Sequence, residues 1–190
     1  MNSWQNLVNM RHPFRILVPL RTYKGHRTDY HAYKDKLAVD FNHRCGYTDC
    51  QDHWFGGQHT FQIDHLKPWS KYPDRKTDYK NLVYCCSYVN RAKWDDDSPN
   101  YLDPCDNDFN EHFYRDGEGI IRGESVQGQY MVRHMSLSLR RYAIIWNLER
   151  LEDRIEKLRI LSERKPEIKP ILADVLLTYY DYVKSLRFHQ

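Results

Sequence analysis

The chain has 190 residues, 29 of them Lys or Arg against 26 Asp or Glu, a formal net charge of +3 and 14% aromatic residues. A mean hydropathy of −0.85 together with that aromatic content describes a polar globular protein and excludes an intrinsically disordered one. Near-balanced charge does not mark a nucleic-acid binder, so any basic footprint has to be local.

The opening stretch MNSWQNLVNMRHPFRILVPLR contains Arg11 and Arg15 and no apolar run long enough for a signal peptide or a membrane span, which predicts a cytoplasmic protein. From Thr28 to Asn42 the apolar positions Tyr30, Tyr33, Leu37 and Phe41 fall at helical spacing, with Thr28 or Asp29 as the cap. Between Cys45 and His59 the chain is rich in Gly, Asp, Gln and His, and Gly56-Gly57 signals a turn, so a loop or short hairpin is expected. Thr60 to His65 alternates as a strand does, and Leu82-Val83-Tyr84-Cys85 is a second short run of strand formers. The segment KPWSKYPDRKTDYK between them reads as a long surface loop of the functional kind. Ser87 to Trp94 is helix-compatible and ends before the acidic run Asp95-Asp96-Asp97 and the breaker Ser98-Pro99.

Residues 100–130 look irregular, punctuated by Gly117, Gly119, Gly123 and Gly128. Beyond Met135, Ile144, Leu148, Leu151, Ile155 and Leu158 alternate steps of four and three with charged residues between them, which predicts a long helix with one narrow apolar seam. Pro166 and Pro170 break it, and Ile171, Val175, Tyr179, Val183 and Leu186 mark a second amphipathic helix. The partition expected is 1–44 for an N-terminal segment and helix, 45–130 for a central core and 131–190 for an αα-hairpin, packed on the core or on a partner.

The chemistry concentrates where the first strand, FQIDHLKPW, ends in Asp64-His65. Asn81 stands before the second strand and Asn90 inside the short helix. Each of these has an ordinary structural use when taken singly: a turn, a strand start, a helix cap. Phosphodiester cleavage needs a base for water, a cation for the phosphate charge and a group that keeps the base in line. His65 is the candidate whose unperturbed pKa suits the base near neutral pH. Neighbours on a strand face opposite ways, so either His65 faces the substrate while Asp64 faces a metal across the hairpin-helix junction, or the strand twists at its end to bring them together.

The order D-H, N, N across strand, loop, strand and helix, carried by IDHLKP, NLVYCCSYVNRAK and RCGYTDC, resembles the HNH endonuclease family and its ββα-metal motif. A looser likeness runs through NYLDPCDNDFNEHFYRDGEGIIRG, so the resemblance spans roughly residues 40 to 125. It implies an α+β protein: a ββα-metal nuclease core with a flanking N-terminal helix and a C-terminal αα-hairpin. It implies a metal-dependent endonuclease that hydrolyses DNA to 5′-phosphate and 3′-hydroxyl ends, with Asp64 and Asn90 as metal ligands. His65 would be the general base, and Asn81 would orient the imidazole and pin the loop. Many members carry a histidine where this chain has Asn90, and an amide oxygen is a harder ligand, which favours Mg²⁺ or Mn²⁺ over Zn²⁺ or Ni²⁺. Proteins of this look include bacterial defence effectors that work beside a separate ATPase, and the C-terminal helices would be the docking surface for such a subunit. The alternative is a catalytically degenerate HNH-like module that binds nucleic acid or a partner without cutting.

Five cysteines are an odd number in a chain without an export signal, which favours free thiols or metal ligands. Many HNH proteins hold a structural zinc on two cysteine pairs, and this chain departs from that pattern twice. Cys45 and Cys50 have four residues between them, and Val89 stands where the partner of Cys86 would be, beside the vicinal Cys85. Cys45, Cys50 and Cys86 with a fourth ligand from Cys105, His43 or His53 would suit tetrahedral zinc. The preferred reading makes them buried small apolar side chains, in a core supplied by Tyr47, Trp54, Phe55, Tyr84 and Tyr88.

Lys67, Lys71, Arg75, Lys76 and Lys80 lie in the long loop, and Arg91 and Lys93 follow Asn90. This is the local basic footprint expected to contact DNA phosphates, giving salt-dependent affinity with little sequence information. Asp74 and Asp78 argue instead for a merely solvated loop.

Overall fold

The structure, a computed structural model, describes residues 10–188, so the opening residues of the N-terminal segment and the last two of the hairpin lie outside it. The chain divides into two compact units, one ending at Ser138 and the other beginning at Leu139.

In the first unit a 3₁₀ turn at Tyr30–Tyr33 runs into helix α1, Lys34–Asp40. Asp29 is the cap, accepting the His31 amide at 3.0 Å. The predicted apolar face packs inward, with Tyr33, Leu37 and Phe41 buried. Left-handed Asn42 and His43 then reverse the chain into a knuckle closed by the Cys45 amide on the Cys50 carbonyl at 2.9 Å. Gly46 sits in that knuckle because a Cβ there would come within 2.7 Å of both the Phe41 ring and Val83. Gly56 and Gly57, at φ 99° and 85°, close the short 3₁₀ turn Asp52–Phe55 as the sequence suggests. Only an isolated bridge, Arg44 to Gln51, pairs strands in this segment among the described residues.

Strand β2, Gln62–His65, runs antiparallel to β3, Leu82–Cys85, with Asp64 opposite Val83 and His65 opposite Leu82. The strand starts later than predicted because the Thr60 hydroxyl bonds the Gly57 carbonyl at 2.8 Å and so belongs to the preceding turn. Helix α2, Ser87–Lys93, follows directly, which completes the ββα unit.

The stretch read as irregular holds more order than its pattern suggests. His12–Pro13 (β1), Phe113–Arg115 (β4) and Ile121–Gly123 (β5) form an antiparallel sheet in the order β1-β4-β5, and helix α3, Val126–His134, starts on the Ser125 cap. Strands this short show no alternation to read. Gly128 lets α3 lie against the loop before β4, since a Cβ there would collide with the His112 carbonyl oxygen. Two buried arginines tie this sheet to the knuckle: Arg15 Nη2 donates to the Gly46 carbonyl and Arg115 Nη2 to the Thr48 carbonyl, each at 2.6 Å.

The second unit is an αα-hairpin of α4, Arg140–Arg164, and α5, Lys169–Arg187. Pro166 ends the first helix, whereas Pro170 lies in the first turn of α5, where a missing N–H costs nothing. Ile144 and Leu148 are buried, as is Val175, and the Tyr179 hydroxyl donates to Glu152 at 2.9 Å across the hairpin. Ile171 is exposed, whereas Leu172 is half-buried. Among the described residues no helix is long and apolar enough to cross a membrane.

Candidate active site

Asp64, His65 and Asn90 line one cleft of about 470 Å³, together with Tyr30, Trp69, Arg91 and Trp94. The end of β2 supplies the first two and α2 supplies Asn90.

His65 is buried, and its Nε2 lies 2.9 Å from the Lys76 carbonyl. A carbonyl only accepts, so Nε2 carries the proton and Nδ1 keeps a lone pair. Burial holds the imidazole pKa below its ordinary value, which keeps the ring neutral at pH 7. The Tyr30 ring packs against it edge-on at 4.7 Å between centroids.

Asp64 is held from two sides. Its Oδ2 accepts the Tyr47 hydroxyl at 2.6 Å, and its Oδ1 lies 3.1 Å from Lys93 Nζ, which also donates to the His65 carbonyl at 2.8 Å. Burial, and then the carboxylate itself, push the Tyr47 phenol well above its usual pKa, so it stays a donor. Asn90 Nδ2 donates to Gln62 Oε1 at 2.8 Å, while its Oδ1 accepts no hydrogen bond among the described residues. No three His, Cys, Asp or Glu side chains of the described residues gather as a metal site. The donor set is oxygen only: an Asp64 carboxylate with lone pairs beyond its two hydrogen bonds, and the Asn90 amide oxygen. Hard oxygen donors of this kind suit Mg²⁺ or Mn²⁺.

Asn81 is fully buried. Its Oδ1 accepts the Lys67 amide at 2.8 Å, and its Nδ2 donates to the Lys67 and Arg75 carbonyls at 2.9 and 3.2 Å. It pins both ends of the long loop. It does not touch the imidazole, which the Lys76 carbonyl orients instead, so its effect on His65 runs through the loop backbone.

The basic residues separate. Arg91 lines the cleft, and Lys76 Nζ sits 4.5 Å above the Trp69 ring. Lys67 lies beside the Tyr72 ring, Lys71 pairs with Asp97 at 2.9 Å, and Arg75 pairs with Asp78 at 3.1 Å. Lys80 lines a different cavity, of about 610 Å³. Lys93 departs from the expected footprint: it is buried, with its ammonium 3.1 Å from the Asp64 carboxylate instead of on the surface. Its spacing, one helical turn after Asn90, was the available signal, because it turns Lys93 back under the strand end. Tyr47 and Trp94 also escaped the sequence reading as members of the site.

Cys45 and Cys86 sulfurs are 4.0 Å apart, and the Cys86 amide donates to Cys45 Sγ at 3.5 Å. Burial alone would raise the Cys45 pKa, but its hydrogen bonding with Cys86 and Thr48 outweighs that and lowers it, while the Cys86 thiol is pushed up. Cys50 Sγ faces the Thr48 carbonyl at 3.7 Å. Of the proposed fourth ligands, Cys105 lines the larger cavity, His43 Nδ1 is 3.2 Å from Asp52, and His53 packs on Trp54. Tyr47 and Tyr84 are core residues as expected, whereas Tyr88 is exposed.

The HNH endonuclease family model matches residues 43–96, from the cysteine knuckle to the end of the turn after α2. The chain thus carries an HNH endonuclease domain, and the ββα unit with its cleft is that domain's centre. No curated protein matches the chain.

Proposed function

We propose that the protein is a metal-dependent endonuclease that hydrolyses DNA phosphodiester bonds, with His65 as general base and Asp64 and Asn90 as the ligands of one Mg²⁺ or Mn²⁺ ion. The observation that supports this best is that Asp64, His65 and Asn90 line one cleft, with an imidazole whose Nε2 faces the Lys76 carbonyl so that Nδ1 keeps the lone pair that takes a proton. A bound divalent cation supplies neutralisation of the charge that grows on the phosphate and its leaving oxygen. His65 Nδ1 removes a proton from the attacking water, and the Lys76 carbonyl steadies the imidazolium through Nε2. Asn81 holds the loop that carries that carbonyl. Arg91 and Lys76 receive flanking phosphates, and the ends left are 5′-phosphate and 3′-hydroxyl.

In this reading residues 45–130 form the nuclease core, 1–44 its N-terminal flank and 131–190 a hairpin that docks a partner such as an ATPase subunit. The protein would act in the cytoplasm as a defence effector. One observation favours the second reading, a binding module that does not cut: Lys93 already compensates the Asp64 charge.

Replacement of His65 by Ala separates the two. The expected result is Mg²⁺- or Mn²⁺-dependent cleavage of single-stranded or duplex DNA by the wild type that the variant loses while retaining DNA affinity. Wild-type protein that binds DNA but leaves it intact with either cation supports the module.

A further inference from the structure

The aromatic rim of the cleft does something the fold does not require. Trp94 caps α2 with φ 52° and ψ −126°, and the Lys93 carbonyl accepts the Asp96 amide at 3.1 Å across it. These are the angles of the first central position of a type II′ turn, which glycine dominates, and a bulky residue there is an outlier. Its indole is also 76% exposed. Trp94 therefore carries backbone strain and hydrates a large apolar ring, with little packing in return. Strain retained beside a reactive cleft, where the surroundings hold it in place, points to use. Here the surroundings are specific: the Asp96 carboxylate accepts the Tyr130 hydroxyl at 2.7 Å and the Tyr101 hydroxyl at 3.1 Å, which fixes the turn that presents the indole.

Trp69 borders the same cleft from the long loop, 49% exposed, with Lys76 Nζ above its ring. Two exposed indoles and a lysine ammonium beside one of them, around a candidate phosphate-cutting centre, match the chemistry of bases stacking on rings while the backbone meets positive charge. Base faces inside a duplex are covered by their neighbours, so only an unpaired strand can supply them.

We infer that Trp94 and Trp69 are base-stacking residues of this cleft and that the strand it takes is unpaired. This deepens the nuclease reading and rests on it for the cleavage step. The binding step stands by itself, because stacking needs no cation.

The test is affinity of the full chain for a fluorescein-labelled oligothymidylate and for a duplex of equal length, measured in EDTA so that nothing is cut. Single-strand affinity is expected to exceed duplex affinity, with quenching of tryptophan fluorescence. Trp94→Gly should lower single-strand affinity by about tenfold, with a smaller loss for Trp69→Ala. Because glycine suits the turn, Trp94→Gly should leave the thermal unfolding midpoint unchanged or raise it, so lost affinity cannot be lost folding. Equal or tighter duplex binding, or a Trp94→Gly variant that binds the single strand as wild type does, overturns the inference. Cleavage assays with Mn²⁺ then address the other claim: no cutting of any substrate, beside a Trp94-dependent single-strand preference, sinks the nuclease and keeps the stacking site. An RNA strand bound as well as the DNA strand supports the same unpaired-base chemistry.

Discussion

Lys93 Nζ lies 3.1 Å from Asp64 Oδ1, and the two side chains are 0% and 4% exposed. The candidate metal ligand is thus positioned by an internal cation from the same helix that carries Asn90. Loss of one partner of a buried pair leaves the other charged and unsolvated, which costs about 3–5 kcal/mol. Lys93→Met should therefore lower stability in urea by that order, and Asp64→Asn added to it should recover much of the loss. A cost below about 1 kcal/mol for Lys93→Met would mean that the pair does not hold Asp64.

Asn81, itself fully buried, bonds three backbone groups of the long loop. Each group left unsatisfied costs about 1–3 kcal/mol, so Asn81→Ala should destabilise by about 3 kcal/mol and speed hydrogen exchange at the Lys67 amide. Asn81→Asp should fare no better, because a carboxylate can accept from Lys67 but only repels the two carbonyls.

Gly128 tests packing against propensity. Glycine inside a helix is worse than alanine by about 1 kcal/mol, so Gly128→Ala would ordinarily stabilise α3. The new methyl would meet the His112 carbonyl oxygen, and overpacking of this kind costs about 1–3 kcal/mol. The expected sign is destabilisation, read as a lower thermal midpoint.

Asp96 carries a pH signature. Hydrogen bonds from Tyr130, the Ser98 amide and Tyr101 hold its carboxyl below the ordinary range. A carboxyl depressed on folding adds stability above its unfolded pKa and loses it as pH falls through the folded one. Asp96→Asn should lower the unfolding midpoint at pH 7, and the gap from wild type should shrink below about pH 4. A gap that stays constant down to pH 3 would assign the effect to something other than the charge.

Much of the ββα unit was legible because its signals are local. The run Leu82–Cys85 and the helix from Ser87 carry strand and helix patterns of their own, and Asp64-His65 closes an alternating strand. The second sheet was not, since His12–Pro13 pairs with residues about a hundred positions away and each strand is too short to show a period. The site divides in the same way. Asp64, His65 and Asn90 could be picked out by motif, but the inward turn of Lys93, the reach of Tyr47 to Asp64 and the substitution of the Lys76 carbonyl for Asn81 beside His65 are facts of packing. A lysine in a basic stretch reads as surface charge until the fold shows which way its stem runs.

The claim on which the account turns is that one hard cation sits between Asp64 and Asn90 under His65. Crystals soaked in Mn²⁺ and measured for anomalous scattering test it directly. The expected result is a single strong peak in the cleft, about 2.1–2.3 Å from an Asp64 carboxylate oxygen and from Asn90 Oδ1, absent in Asp64→Ala crystals. A well-occupied Mn²⁺ elsewhere, or an empty cleft at saturating Mn²⁺ with Lys93 still seated on Asp64, would contradict it.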